Sequence, residues 1–208
     1  MNTTMSSGNL QSFLRLLDDK GVTPEKFTSV LSSGMLADIF ESGASLDKRD
    51  ALRETLGLSP LRFEFEVDYD LSFEEMVAAG HYDWRNDNLN ERNFPIKGKG
   101  KKRFEGKLFA ANCSSEEGIK HILAEDQVKP WKPGETEHIL AFGVAFPDVQ
   151  RKTPVVALGS SAGVGGIRDV PFLDGSVAER NLFLGWWGDD WSGGCRFLGV
   201  REVSGSVA

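Results

Sequence analysis

Residues 62–68, Arg-Phe-Glu-Phe-Glu-Val-Asp, decide the fold class of this chain. Phe63, Phe65 and Val67 alternate with acidic side chains, and a period of two is typical of a β-strand with one buried face. Upstream of the break at Ser59-Pro60, apolar residues instead recur at helical spacing. The change of period predicts a helical segment followed by a region that contains a sheet.

The first 58 residues carry the signals of several short helices. Thr23-Pro24 places an N-cap residue before a proline at the first helical position, where the missing N–H costs nothing. Apolar residues at helical spacing and glycine stops predict further helices over 10–17, 35–40 and 45–57. We therefore expect residues 1–58 to form a helical N-terminal segment.

Helices and strands follow one another irregularly over residues 61–203, for which we expect one α+β domain. Two Ser-x-x-Glu capping boxes, Ser72–Glu75 and Ser114–Glu117, predict helix starts. The other predicted elements are a helix over 135–146 and strands over 104–110, 155–158, 168–173 and 195–201.

The composition sets limits on function. Of the 208 residues, 40% are hydrophobic, enough for a packed core. The net charge of −7 disfavours a nucleic-acid surface, which needs clustered positive charge. No stretch approaches the roughly 18 apolar residues of a membrane-spanning helix, and Met1–Leu17 lacks the pattern of an export signal. We expect a cytoplasmic protein without membrane contact.

The two cysteines, Cys113 and Cys195, are far apart in the sequence, and neither belongs to a Cys-x-x-Cys pair. Without such a ligand pair, no zinc or thioredoxin-type site is predicted. We expect both thiols to be reduced and buried, and we predict neither a metal nor another cofactor.

The segment Gly185-Trp-Trp-Gly-Asp-Asp-Trp191 has the most unusual composition in the chain. Three indoles and two carboxylates among glycines suit a recognition surface, because rigid aromatic side chains dominate binding hot spots. The alternative is that one or two of the indoles fill the core while the aspartates cap turns. The predicted ligand-binding residues are Trp186, Trp187, Asp189, Asp190, Trp191, Arg168 and Arg180.

A second glycine-rich segment, Gly159–Gly166, does not match either phosphate-loop pattern. No Lys-Ser or Lys-Thr pair follows a glycine, and Arg168 stands where the third glycine of Gly-x-Gly-x-x-Gly would be. Both flanks have the character of strands, so we predict a hairpin loop, in which Arg168 remains available for an anion.

Four blocks of the sequence resemble an uncharacterised family of small bacterial proteins. They are Tyr82-Asp-Trp84, Asn93-Phe-Pro95, Pro154–Gly159 and Cys195–Arg201. This resemblance extends over most of the chain and implies no biochemical activity.

The C-terminal third is also similar in layout to C-type-lectin-like folds, such as relatives of formylglycine-generating enzymes and the variable proteins of diversity-generating retroelements. The likeness rests on the helix over 135–146, an irregular segment Gly185–Gly194 and a closing strand Cys195–Arg201. It implies that Trp186–Trp191 lie on a ligand-facing surface, with Arg196 on the strand behind. The paired copper-binding cysteines and the Glu-Pro-Asn calcium motif of such proteins are absent.

Two other functions stay open. The basic loop Lys97–Arg103, with the N-terminal helices, would suit a nucleic-acid-associated regulator, although the helix over 46–56 mixes acidic and basic side chains. An enzyme would use His81 and Asp83, or Cys113 ahead of a helix start, where a thiolate is favoured.

The remaining histidines, His121 and His138, have no histidine partner at i+4, and we expect them in surface or capping roles. The leading hypothesis is therefore a non-catalytic protein that binds a small molecule or another protein through its Trp- and Asp-rich C-terminal segment.

Overall fold

A computed structural model describes residues 11, 14, 15, 17–19, 21–32 and 62–203. The chain divides into two compact units, Met1–Leu52 and Arg53–Ala208. In the first unit, helix α1 spans Pro24–Ser32, and the Oγ1 atom of Thr23 accepts the N–H of Lys26 at 3.3 Å. The predicted cap and proline start are confirmed. The helices predicted over 35–40 and 45–57 lie outside the described residues.

The second unit holds nine strands and four helices within residues 62–203. The strands are β1 (Arg62–Asp68), β2 (Trp84–Arg85), β3 (Lys101–Ala110), β4 (Lys132–Pro133), β5 (Val155–Val156), β6 (Ala162–Val164), β7 (Ile167–Gly175), β8 (Arg180–Trp186) and β9 (Arg196–Glu202). The helices are α2 (Phe73–Ala79), α3 (Ser115–Ala124), α4 (Thr136–Ala145) and α5 (Pro147–Gln150). In the described part of the chain, no helix is both long and apolar enough to cross a membrane.

All nine strands belong to one mixed sheet. Its order is β1-β3-β9-β5-β7-β8-β2, with β4 paired to β9 and β6 paired to β7. The predicted α+β class is confirmed. Strand β1 behaves as its alternation predicts, because Phe63, Phe65 and Val67 are buried while Glu64 and Glu66 are exposed.

Helices cover both faces of the sheet. Neighbouring residues of one strand pack into different apolar clusters. In β5, Val155 belongs to the first cluster and Val156 to the second; in β9, Leu198 belongs to the first and Phe197 to the second. The first cluster contains side chains of α2 and α4, and the second contains side chains of α3. Alternate side chains of a strand point to opposite faces, so the sheet lies between two helical layers.

Both predicted capping boxes are present. Ser72 and Glu75 close the start of α2, and Ser114 and Glu117 close the start of α3, each with the serine accepting the glutamate N–H and the glutamate accepting in return. Hydrogen bonds of this kind lower the pKa of both Glu75 and Glu117.

Three segments predicted to be irregular contain strands. The basic run Lys97–Arg103 is a loop only as far as Gly100, because β3 begins at Lys101 and pairs with the acidic strand β1. Strand β6 occupies part of Gly159–Gly166, and the turn of that hairpin is formed by Gly165 and Gly166, both at positive φ. Strand β8 continues through Trp186, so the irregular segment begins at Trp187, two residues later than predicted.

Candidate functional site, a groove where the sheet divides

Strand β9 has two different neighbouring strands on one of its edges. On the side away from β3 it pairs with β5 at Arg196 and Phe197, and with β4 at Gly199 and Val200. Strand β5 runs parallel to β9 and β4 runs antiparallel to it. The sheet therefore divides here, with the chain leaving β4 directly into α4.

Glycine permits the close approach at this division. Gly134 donates its N–H to Leu198 O at 2.7 Å, and Gly159 donates its N–H to Gly134 O at 2.8 Å. A Cβ atom on Gly159 would lie 2.5 Å from Pro133 O and 2.8 Å from Gly134 O. Because no side chain fits at 159, the end of β5 lies directly beside the start of α4.

An open groove of about 1120 Å³ follows this division. Its lining comes from the start of α4, from α3, and from residues in or beside β3, β7 and β9. Two predicted ligand-binding residues, Arg168 and Trp187, line the groove. The other five predicted residues do not: they are Trp186, Asp189, Asp190, Trp191 and Arg180.

Arg168 is held in place on two sides. Its Cζ atom lies 3.6 Å from the centroid of the Trp187 ring, and its Nε donates to Ser161 Oγ at 3.0 Å. Trp187 is fixed in turn, because its N–H donates to Arg168 O at 2.8 Å and its Nε1 donates to Glu116 at 3.3 Å. A planar guanidinium stacked on an indole is a preorganised donor group.

His138, on the first turn of α4, lies in the wall of the groove. Its Nδ1 accepts the N–H of Glu135 at 3.1 Å, and its Nε2 lies 3.4 Å from the hydroxyl oxygen of Tyr69. Burial, with Lys102 and Lys132 nearby, lowers the pKa of His138 to about 4. The capping role expected for this residue is present, but the ring is buried rather than on the surface.

Glu137 is a buried carboxylic acid on the same turn. It is 1% exposed, and its Oε1 has no hydrogen-bond partner among the described residues. Burial, with a smaller contribution from Glu135, raises the pKa of Glu137 to about 6. A hydrogen bond from its own backbone opposes the increase, as do the backbone and side chain of Lys97.

Glu135, Glu137 and His138 together have the composition of a metal site, with ligand atoms within 4.8 Å of one another. The hydrogen bonds oppose this use. Because Nδ1 of His138 accepts the Glu135 N–H, the neutral ring carries its proton on Nε2 and has no free lone pair for a metal. Three lysines nearby would also repel a cation. We therefore assign no metal here.

Sequence reasoning missed this cluster. The signal was the run Glu135-Thr-Glu-His138 itself, since residues three apart lie on one side of a helical turn. His138 has no histidine at i+4, but its partners are the glutamates at i−1 and i−3, Glu137 and Glu135.

The structure separates the three indoles of the predicted surface. Trp186 is 54% exposed, Trp187 is half-buried against α3, and Trp191 is 9% exposed and packs in the core. Asp189 and Asp190 are exposed, and neither carboxylate has a hydrogen bond within the described residues. The alternative in which an indole fills the core thus applies to Trp191.

Arg180 lies in the interior and not on a ligand-facing surface. Its guanidinium donates to the carbonyl oxygens of Gly80 and Gly143 and to Oε1 of Gln150, and it is 6% exposed. The ligand-binding assignment of Arg180 is corrected accordingly, because these contacts join α2, α4 and α5 to the sheet and use four of its five N–H groups.

The basic run has local partners. Lys101 lies 3.3 Å from Asp68, Arg103 lies 3.1 Å from Glu64, and Lys102 lies 3.1 Å from Glu202. Its strand part is thus paired with carboxylates instead of presenting free charge to phosphates.

The residues of the enzyme hypothesis, His81, Asp83 and Cys113, differ in their surroundings. Asp83 accepts the backbone N–H of Arg180 at 2.8 Å, and His81 is exposed at φ 49°. Burial, with Glu117 and Asp190 nearby, raises the pKa of Cys113 and disfavours its thiolate. Cys113 and Cys195 are both free, as expected, but half-buried rather than buried.

Comparison with known proteins adds no relative: no family model, no curated protein and no solved structure matches this chain.

Proposed function

We propose that this is a non-catalytic ligand-binding protein whose binding site is the groove at the division of the sheet. The observation that carries the proposal is the Arg168–Trp187 pair, which lines a groove of about 1120 Å³. A groove of this volume has room for a small molecule. Of the seven ligand-binding residues predicted from the sequence, the proposal keeps Trp187 and Arg168.

Catalysis has less support from the same residues. The groove holds one histidine, and both of its ring nitrogens have partners. A general base needs a free lone pair within reach of the substrate. The polar and aromatic lining instead suits recognition.

A fragment screen by ligand-observed NMR tests the proposal. Trp186 and Trp187 are neighbouring indoles, one outside the groove and one in its wall, so they form a matched pair. We expect fragments that bind wild type to lose binding in Trp187→Ala and to keep it in Trp186→Ala. Fragments that bind both variants equally, or a screen without any bound fragment, would contradict the groove as the site.

Folding of each variant is checked by circular dichroism and thermal unfolding. If Trp187→Ala fails to fold, Leu123→Arg takes its place, because Leu123 also lines the groove, is 49% exposed, and an arginine there would obstruct the groove without entering the core.

A further inference from the structure

We infer that the ligand of the groove carries an oxyanion, a carboxylate or a phosphoryl group, and that Arg168 holds this group through its two terminal nitrogens. The inference rests on the proposed function and specifies the chemistry of the ligand.

The first argument is the geometry of Arg168. Arg168 is exposed, and stacking on Trp187 together with the bond from Nε to Ser161 orients the plane of its guanidinium. Its Nη1 and Nη2 atoms have no hydrogen-bond partner among the described residues, although the side chain lines the groove. An arginine fixed in this way presents two parallel N–H donors, which match the two oxygens of a carboxylate or phosphate.

The second argument is the charge of the groove. Its lining carries six basic side chains and three acidic ones, in a chain whose net charge is −7. Some of these charges are paired, since Lys102 lies 3.1 Å from Glu202 and Arg201 lies 2.6 Å from Glu105. Within the described residues, four groove cations have no ion-pair partner: Lys97, Lys129, Lys132 and Arg168.

Two acidic side chains are left to oppose these four cations: Glu135 in the groove and Glu137 on the same turn of α4. Local positive charge in an acidic protein attracts an anion from solution and repels a cation. Charge and geometry therefore favour the same class of ligand.

Three naphthalene probes that share one ring system test the inference by isothermal titration calorimetry. 2-Naphthoate supplies a carboxylate, 2-naphthyl phosphate supplies a phosphoryl group, and 2-naphthamide supplies neither charge. We expect at least one anionic probe to bind wild type about tenfold or more tightly than the amide, since a charge-assisted pair contributes that much. The stronger of the two anions identifies the kind of oxyanion.

Variants of Arg168 connect the charge preference to this residue. Arg168→Gln is expected to abolish the preference for the anion, and Arg168→Lys to retain only part of it, because lysine keeps the charge and loses the paired donors. Arg92→Gln is the matched control, since Arg92 is an exposed arginine outside the groove. It should bind all three probes as wild type does.

The outcomes separate the inference from the proposed function. Equal binding of amide and anions, or an anion preference that survives in Arg168→Gln, overturns the inference. If the inference fails in this way but all three probes bind wild type and lose binding in Trp187→Ala, the groove remains the binding site. No binding of either anion at about 1 mM also overturns the inference, and the fragment screen then decides independently whether the groove binds ligands.

Discussion

The indole N–H of Trp191 donates to Oγ of Ser115 at 2.9 Å, joining the Trp-rich segment to the first residue of α3. The serine hydroxyl in turn donates to Trp187 O at 2.7 Å. Trp191 also meets the rings of Phe172 and Phe197 edge to face. The segment is therefore anchored by its last indole, and this anchor positions Trp187 beside the groove.

Replacing Trp191 by alanine should lower the free energy of unfolding by about 3–5 kcal/mol, because the change opens a large cavity and leaves Ser115 without its donor. Trp186→Ala should change it by less than about 1 kcal/mol, since that side chain is mostly exposed. Urea unfolding followed by circular dichroism measures both. Equal losses for the two variants would contradict the separation of these indoles.

Arg180→Met should lower the free energy of unfolding by about 2–4 kcal/mol, because methionine fills similar space but leaves the carbonyl oxygens of Gly80 and Gly143 without donors. Arg92→Met, at an exposed position, provides the control. Chemical unfolding of both proteins gives the comparison, and a stable Arg180→Met protein would show that the buried guanidinium is dispensable.

Glu137 and His138 should make opposite contributions to the pH dependence of stability. The pKa of Glu137 is raised to about 6 in the folded chain, from 4.5, so the folded state binds more protons between these values and the contribution of Glu137 falls as pH rises. The pKa of His138 is lowered to about 4, from 6.5. Its contribution is therefore lost as pH falls through this range.

Single variants separate the two contributions. Relative to wild type, Glu137→Gln should gain stability on the order of 2 kcal/mol as pH rises from about 4.5 to 6. His138→Gln should lose on the order of 3 kcal/mol relative to wild type as pH rises from about 4 to 6.5. Unfolding free energies measured at several pH values give both differences. A difference that stays constant with pH for either variant would contradict the assigned pKa of that residue.

Gly159→Ala should destabilise the protein by about 1–3 kcal/mol or more, because the new Cβ would meet the backbone oxygens of Pro133 and Gly134. Gly163→Ala is the control, since nothing lies within 4 Å of the position of its Cβ. Thermal unfolding of the pair should show a clear loss for the first and little change for the second. Two equally stable variants would mean that the sheet division tolerates a side chain.

Local signals accounted for much of the fold. The alternation over Phe63, Phe65 and Val67 and the capping boxes at Ser72 and Ser114 were read correctly, because each depends on residues that are neighbours in the chain. The start of β3 was missed at Lys101, since a basic run has the composition of a loop and becomes a strand only beside the acidic residues of β1.

The sequence by itself determined the α+β class and the helix starts that its capping boxes mark. Only the tertiary structure decided that Trp191 is core, that Arg180 is a buried link, and that Arg168 and Trp187 meet at a groove beside His138. The physical reason is distance along the chain. Periodicity and capping act over a few residues, whereas burial, register and the division of the sheet depend on contacts between segments that are tens of residues apart.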